Sequence, residues 1–144
     1  MEEQNFKNHT KLVPAFHFFL IPLLMITFIG ALVKLYRAIS NDGPINTAAL
    51  IAMLSLGALM AAFFARIFAL QAQDRVIRVE ENLRHQALSG KPLDSRLTRG
   101  QIVALRFASD GEFVALAAAA ANKGMASKEI KQAIKSWRAD NFRL

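Results

Sequence analysis

Two long stretches near the N-terminus are almost continuously apolar, and the chain after about residue 70 changes to mixed polar and apolar positions. The first stretch, 12–33, has no charged residue and is bounded by Lys11 and Lys34. At about 1.5 Å per residue it is long enough to cross a hydrocarbon core of about 30 Å. The second, 47–70, is richer in alanine and contains Arg66 four residues before its end, where a long side chain can reach the headgroups. Both patterns predict membrane-spanning helices.

A cleaved signal peptide is the alternative for the first stretch. Its apolar run exceeds the usual length of about 7–15 residues, and the acidic residues Glu2 and Glu3 offset the lysines before it. We therefore expect a retained span, with 1–11 as a short N-terminal tail.

The residues between the spans end in Ser-Asn-Asp-Gly-Pro, 40–44, which is a cluster of turn formers. A short connection predicts a transmembrane helical hairpin over 12–70, so both termini lie on one side. Basic residues near the spans decide which side. Lys7, Lys11, Arg75, Arg78 and Arg84 outnumber Lys34 and Arg37 of the loop, so we expect a two-pass protein with both termini in the cytoplasm.

The remaining residues, 71–144, predict a cytoplasmic tail that is entirely α-helical, and the fold class is therefore all-α. The second span continues as an extended helix to about Leu88, with Val76, Val79 and Leu83 in one apolar stripe and with solvated acid-base pairs such as Glu80 with Arg84. Three short helices follow, over 102–108, 113–121 and 127–138. Capping residues mark them: Thr98 with Gln101, Ser109 with Glu112, Gly124 and Ser127.

The last predicted helix is basic and amphipathic. Its basic residues are spaced by three and four positions and would share one face, opposite apolar residues that include Trp137. This docking face consists of Lys128, Lys131, Lys135, Trp137 and Arg138. It favours a protein partner or anionic lipid headgroups, while packing of the apolar side on the preceding helices remains an alternative.

Within the hairpin, two ionisable residues predict an intramembrane polar pair. His17 lies about five residues into the first span and Arg66 about four from the end of the second, so an antiparallel hairpin brings them to similar depth. They could hold a lipid phosphate or an acidic group of another subunit. Alternatively, Arg66 extends to the interface and His17 bonds a local carbonyl. Small residues Ala58, Ala62, Ala65 and Ala69 have helical spacing that suits a neighbouring helix.

The composition and motifs of the chain limit which kinds of catalytic, cofactor or metal site it can form. The chain of 144 residues has no Cys and a formal net charge of +7, and it contains no glycine-rich phosphate loop, no His-Glu-x-x-His and no Gly-x-Ser-x-Gly. The interpretation is a protein that is not an enzyme, with no catalytic residues, no cofactor and no metal site. Three short helices with a basic third one also resemble a helix-turn-helix, but a tail charge of +5 (13 basic minus 8 acidic residues, 71–144) is modest for a nucleic-acid partner.

Several segments together resemble a family of small bacterial two-span membrane proteins that is classed as a domain of unknown function. They are 4–9 (Gln-Asn-Phe-Lys-Asn-His), 65–66 (Ala-Arg), 80–85 (Glu-Glu-Asn-Leu-Arg-His), 93–98 (Leu-Asp-Ser-Arg-Leu-Thr), 104–110 (Ala-Leu-Arg-Phe-Ala-Ser-Asp) and 137–140 (Trp-Arg-Ala-Asp). The resemblance covers essentially the whole chain. It implies a protein of the bacterial inner membrane, with no activity or catalytic residue to carry over.

We therefore expect an inner-membrane anchor or accessory protein whose tail docks on a protein partner or on the anionic membrane surface, with the lipid bilayer and a homo-oligomer among its partners. One alternative is an oligomeric small transporter or channel component, for which Thr27, Ser55 and Arg66 are the candidate polar residues. Another is a membrane-tethered nucleic-acid-binding module.

Overall fold

The computed structural model describes residues 5–6, 8 and 12–140. The chain is all-α. A π-helical turn, Ala15–Leu20, leads into α1 (Ile21–Ser40), and α2 (Ile45–Ser89) follows after a four-residue turn. Three short helices complete the described chain: α3 (Arg99–Leu105), α4 (Asp110–Lys123) and α5 (Ser127–Ala133). The predicted N-terminal tail, 1–11, with Lys7 and Lys11, lies mostly outside the described residues.

Two helices are long and apolar enough to cross a membrane by length and composition: Ala15–Ser40, counted with its π-helical turn, and Ile45–Ser89. The first begins three residues after the predicted start of its span and continues to Ser40, and the second ends at Ser89, close to the predicted end of the extended helix at about Leu88. The π-helical register immediately precedes Pro22, whose ring nitrogen has no hydrogen to donate to the carbonyl four residues earlier. Ile21 accordingly donates its backbone N–H to the Phe16 carbonyl, five residues back.

The helices separate into two compact units, one containing 12–69 and the other containing 70–144. In the first unit, α1 and α2 form a hairpin. Gly43 closes the turn by donating its N–H to the Ala38 carbonyl at 2.8 Å. A Cβ at Gly43 would lie 3.2 Å from Ala38 Cα, so the turn leaves little space for a side chain.

Small residues form the buried seam of this hairpin. The buried positions are Ala31 and Ala38 on α1 and Ala48, Ala52, Ser55 and Leu59 on α2. On α2 they are spaced 4, 3 and 4, and half-buried Ala62, Arg66 and Ala69 continue the same rhythm. An average spacing of 3.5 residues is that of two helices wound about each other with a left-handed twist.

This seam differs in part from the predicted small-residue stripe. Ala62 and Ala69 belong to it, whereas Ala58 and Ala65 are exposed. The sequence contained two overlapping alanine stripes, and packing against α1 used the one that includes the buried Ser55.

The second unit has a compact core built from α3, α4, α5 and the segment after α5. Phe107, Phe113, Leu105 and Ile130 are its largest fully buried side chains. Trp137 is partly buried against this core, with its ring centroid 5.2 Å from that of Phe107. The helix boundaries follow local signals: Thr98 and Gln101 form the predicted capping box, and Gly124, at φ +61°, ends α4 in the left-handed conformation.

One predicted helix is too long. The structure ends α5 at Ala133, not at Arg138, and Ile134 is extended at φ −67°, ψ 123°. The backbone N–H groups of Lys135 and Ser136 donate to the Glu112 carboxylate, and that of Arg138 donates to the Phe107 carbonyl at 2.7 Å. These N–H groups therefore bond Glu112 and Phe107 instead of the carbonyls of a continued α5. Trp137 pairs with Ala108 in an isolated β-bridge.

Two predicted caps differ in the structure. Glu112 bonds the segment after α5 instead of completing a capping box with Ser109, whose N–H donates to the Ser136 carbonyl at 3.0 Å. The cap residue of α5 is Ala126 rather than Ser127, and its N–H donates to the Glu129 carboxylate at 2.7 Å. The predicted starts of the first two short helices, 102 and 113, each lie three residues after the observed starts at Arg99 and Asp110, whereas the predicted start of the third, 127, is correct.

Candidate functional site

The most concentrated polar chemistry in the second unit is an ionic cluster around Arg84, which we call the Arg84 cluster (Glu81, Arg84, Arg106, Asp110 and Asp140). Arg84 bonds the Glu81 carboxylate at 2.9 Å, the Asp110 carboxylate at 2.6 Å and the Ala108 carbonyl at 2.7 Å. Its guanidinium also lies 4.3 Å from the centre of the Phe113 ring. The planar guanidinium group thus donates to three acceptors and also contacts one aromatic face.

The second arginine of the cluster lies close by in the fold. Arg106 follows Leu105 and precedes Phe107, both fully buried, and its side chain is only 9% exposed. Its Nε lies 3.2 Å from the Asp140 carboxylate, and its guanidinium lies 4.7 Å from the Phe107 ring centre. Arg84 therefore ties α2 to the start of α4, and Arg106 ties the residue after α3 to the segment after α5.

A groove of about 680 Å³ runs beside this cluster. Arg84, Arg106 and Arg138 line it together with Glu80, Glu81, Asp110 and Asp140, and Val76 and Ile77 supply apolar wall. Acidic and basic groups both line it, and Glu81, Asp110 and Asp140 already hold arginines. The arrangement suits a structural tie between helices and a polar docking surface.

Sequence reasoning missed this cluster. It placed Arg84 on a solvated face with Glu80, whereas the Arg84 side chain is 11% exposed and that of Glu81 is 8% exposed. A signal was present, because Arg106 interrupts an otherwise apolar run between Leu105 and Phe107. Three segments that carry the family resemblance, 80–85, 104–110 and 137–140, meet here.

The loop after α2 has an ion pair of its own. Arg96 holds Asp94 through three contacts of 2.6–3.2 Å and donates to the Asn122 amide oxygen at 3.0 Å. The hydrogen bonds from Arg96 lower the pKa of the Asp94 carboxyl from its ordinary 3.8 to about 2. The Asn82 side-chain oxygen accepts a hydrogen bond from the Leu93 N–H at 2.9 Å, and this bond fixes the loop to α2.

In the first unit, the predicted pair His17 and Arg66 share a neighbour. The His17 ring meets the Phe16 ring edge-on at 5.1 Å, and the Arg66 guanidinium lies 5.9 Å from the centre of that ring. His17 Nδ1 is 3.0 Å from the Val13 carbonyl, which is the local bond of the alternative interpretation. The structure thus brings both residues to Phe16, and no hydrogen bond joins them to each other in the described part of the chain.

The predicted docking residues occupy two different elements. Lys128 and Lys131 lie on α5, with Lys131 Nζ 5.9 Å from the Phe107 ring centre, while Lys135, Trp137 and Arg138 lie on the extended segment that follows. They do not share one helical face, because the helix ends between them. Lys128, Lys135 and Arg138 are exposed, whereas the Trp137 ring is partly covered by Phe107.

Within residues 5–6, 8 and 12–140, His, Asp and Glu side chains form no group of three that could hold a metal ion. The family of unknown function DUF6526 has a model that matches residues 1–144. The chain belongs to this family. Comparison with curated proteins and with solved structures gives no match. Membership accords with the resemblance found in the sequence, and function has to be argued from the residues themselves.

Proposed function

We propose that the protein is a non-enzymatic anchor or accessory protein of the bacterial inner membrane, with both termini in the cytoplasm and a helical tail that docks on a protein partner. The observation that carries the proposal is the outward surface of the hairpin. Phe18 and Phe19 are each 68% exposed, Ile26 69% and Leu54 73%. A single copy cannot keep so many large apolar side chains in water, whereas a bilayer covers them.

The orientation rests on the basic residues that flank the two helices. Arg75 and Arg78 follow the second apolar stretch and are exposed, and Lys7 and Lys11 precede the first. Against these stand Lys34 and Arg37 before the turn. The excess on the terminal side favours the cytoplasm for both termini.

Docking on a protein accounts for the tail better than docking on lipid headgroups. An interfacial tryptophan needs a free ring, but Trp137 is partly buried and packs on Phe107. Exposed Lys128, Lys135 and Arg138 remain as a basic surface for an acidic partner. The hairpin offers less to a transporter, because the Thr27 and Ser55 hydroxyls both donate to carbonyls of their own helix.

The test is a charge reversal in the full chain, purified from its native membrane in mild detergent. The triple variant Lys128→Glu, Lys135→Glu, Arg138→Glu should lose a stoichiometric partner that the wild type retains. Lys91→Glu with Lys123→Glu is the matched control, because both lysines are exposed elsewhere on the same unit. If the triple variant retains the partner, the protein docks through another surface. If the triple variant also loses binding to anionic vesicles that contain no partner, the membrane is the docking surface.

A further inference from the structure

The tail portion of α2 carries an apolar stripe that the rest of its unit leaves uncovered. Val76 is 56% exposed, Val79 61% and Leu83 59%, whereas Ile77 and Glu81 on the other side of the helix are each 6% exposed. At 100° per residue the three exposed residues cluster on the face opposite the one that packs on the core. Exposed Val and Leu side chains at spacings of three and four residues are typical of a helix that packs against a second helix.

The same spacing continues toward the N-terminus of α2. Counting back from Val76 by four reaches Ala72, which is exposed and lies in the same compact unit. The larger Val and Leu side chains fill the seam between two paired helices in water. We call Ala72, Val76, Val79 and Leu83 the α2 stripe.

Charges beside the stripe specify what can lie against it. Arg75 and Glu80 are both exposed and flank the stripe on opposite sides, five residues apart. In a parallel pair of helices in register, the residue before one core position meets the residue five places further along the other chain. Arg75 of one copy then faces Glu80 of the second copy, and two-fold symmetry makes this contact twice.

We propose that the α2 stripe is a self-association surface on which a second copy of this chain packs in parallel. The parallel direction rests on the proposed function, because two copies inserted in one membrane with the same topology can align α2 only in that direction. Val76, Val79 and Leu83 fill the seam between the two copies, and Arg75 with Glu80 of the second copy fixes its register.

Cysteine cross-linking tests the contact directly, since the chain has no native Cys. Single variants Val79→Cys and Leu83→Cys, made in the full chain and reconstituted at low density in liposomes, should oxidise to a covalent dimer of two 15.9 kDa chains. A disulfide needs Cα atoms about 4.4–6.8 Å apart, which core positions of a parallel pair provide. Leu88→Cys is the matched control, because Leu88 is 44% exposed and lies about 140° around the helix from Leu83.

Equal cross-linking of Leu83→Cys and Leu88→Cys, or a dimer yield that falls in proportion as the protein is diluted in lipid, would overturn the proposal. Charge exchange checks the register. In the Leu83→Cys background, Arg75→Glu should lower the dimer yield about fivefold at low salt, and Arg75→Glu with Glu80→Arg should restore it. Failure of the double variant to restore it would rule out this register.

Alkaline carbonate extraction separates this inference from the proposed function. A chain that leaves the membrane pellet would refute membrane anchoring and the parallel pairing with it. A chain that stays in the pellet while all the cysteine variants cross-link equally would refute the pairing alone.

Discussion

At the scale of residues, Arg84 contacts four different groups at once. Two carboxylates, one carbonyl and the Phe113 ring surround a side chain that is 11% exposed. A buried carboxylate left without its arginine costs far more than the intact pair contributes, because the charge has lost both water and partner. Arg84 therefore acts chiefly as a constraint on how α2 and α4 pack.

Arg84→Ala should lower the free energy of unfolding of the tail by about 3 kcal/mol, because it strands the Glu81 carboxylate, whose side chain is 8% exposed. Pulse proteolysis of the full chain in detergent, across a urea series, measures the change. Arg78→Ala on an exposed part of the same helix should change it by less than about 0.5 kcal/mol. Equal effects of the two variants would contradict a buried role for Arg84.

Asp94 is expected to titrate well below an ordinary carboxyl, because Arg96 holds it in the ionised form and sets its pKa at about 2 against 3.8. The folded-state value is depressed, so the stabilisation is complete above pH 3.8 and disappears as the pH falls through about 2. Carboxyl ¹³C shifts of the full chain should give a midpoint near 2. In Arg96→Gln the midpoint should return toward 3.8, and an unchanged midpoint would assign the shift to another cause.

At the scale of elements, the short helices of the tail begin where capping residues indicate, but neighbouring elements decide where one of them ends. The Thr98 and Gln101 box closes, because the Gln101 side-chain oxygen accepts the Thr98 N–H at 2.7 Å while the nitrogen of the same amide donates to the Met125 carbonyl at 2.8 Å. Glu112 sits at the equivalent position of α4, yet it bonds the N–H groups of Lys135 and Ser136. The two carboxylate oxygens of Glu112 can accept either the N–H groups at the start of α4 or those of Lys135 and Ser136. Because they accept the second pair, α5 ends at Ala133.

Glu112→Ala should release the segment after α5 without unfolding α4. The N–H groups of Lys135 and Ser136 lose their acceptor, so their hydrogen exchange should accelerate by at least about tenfold, while amides inside α4 change little. Exchange of the full chain in detergent, read by mass spectrometry after proteolysis, resolves the two regions. Glu129→Ala is the control, because its carboxylate bonds the Ala126 N–H at the start of α5 instead. Unchanged exchange at 135–136 would show that another group holds the segment.

At the scale of the whole molecule, the chain combines two units whose cores obey different rules. The hairpin buries alanines, Ser55 and Leu59 along a narrow seam and leaves its largest apolar side chains outside. The tail unit does the reverse, with Phe107, Phe113, Leu105 and Ile130 fully buried. In lipid, which is itself apolar, burying a phenylalanine side chain gives no hydrophobic gain. The contrast between the two units therefore supports the proposed membrane anchor.

The proposed topology predicts which parts of the chain are reachable from outside the cell membrane. Asn41→Cys, in the turn between α1 and α2, should react with a membrane-impermeant maleimide in cells whose outer membrane has been permeabilised. Gln132→Cys, exposed on α5, should react only after lysis. The reverse pattern would invert the orientation, and reaction of both variants before lysis would contradict a two-span hairpin.

The sequence predicts the all-α class, the two long apolar helices and the turn at 41–44, because uninterrupted apolar length, helical spacing and glycine or proline punctuation are local properties. Apolar residues of the three predicted short helices, such as Phe107, Phe113 and Ile130, are buried. Tertiary structure decided the rest. The fold decides which of the two alanine stripes packs on α1 and where α5 stops. It also decides that Arg84 bonds the Asp110 carboxylate and that Glu112 accepts the N–H groups of Lys135 and Ser136, all of them more than twenty residues away in sequence.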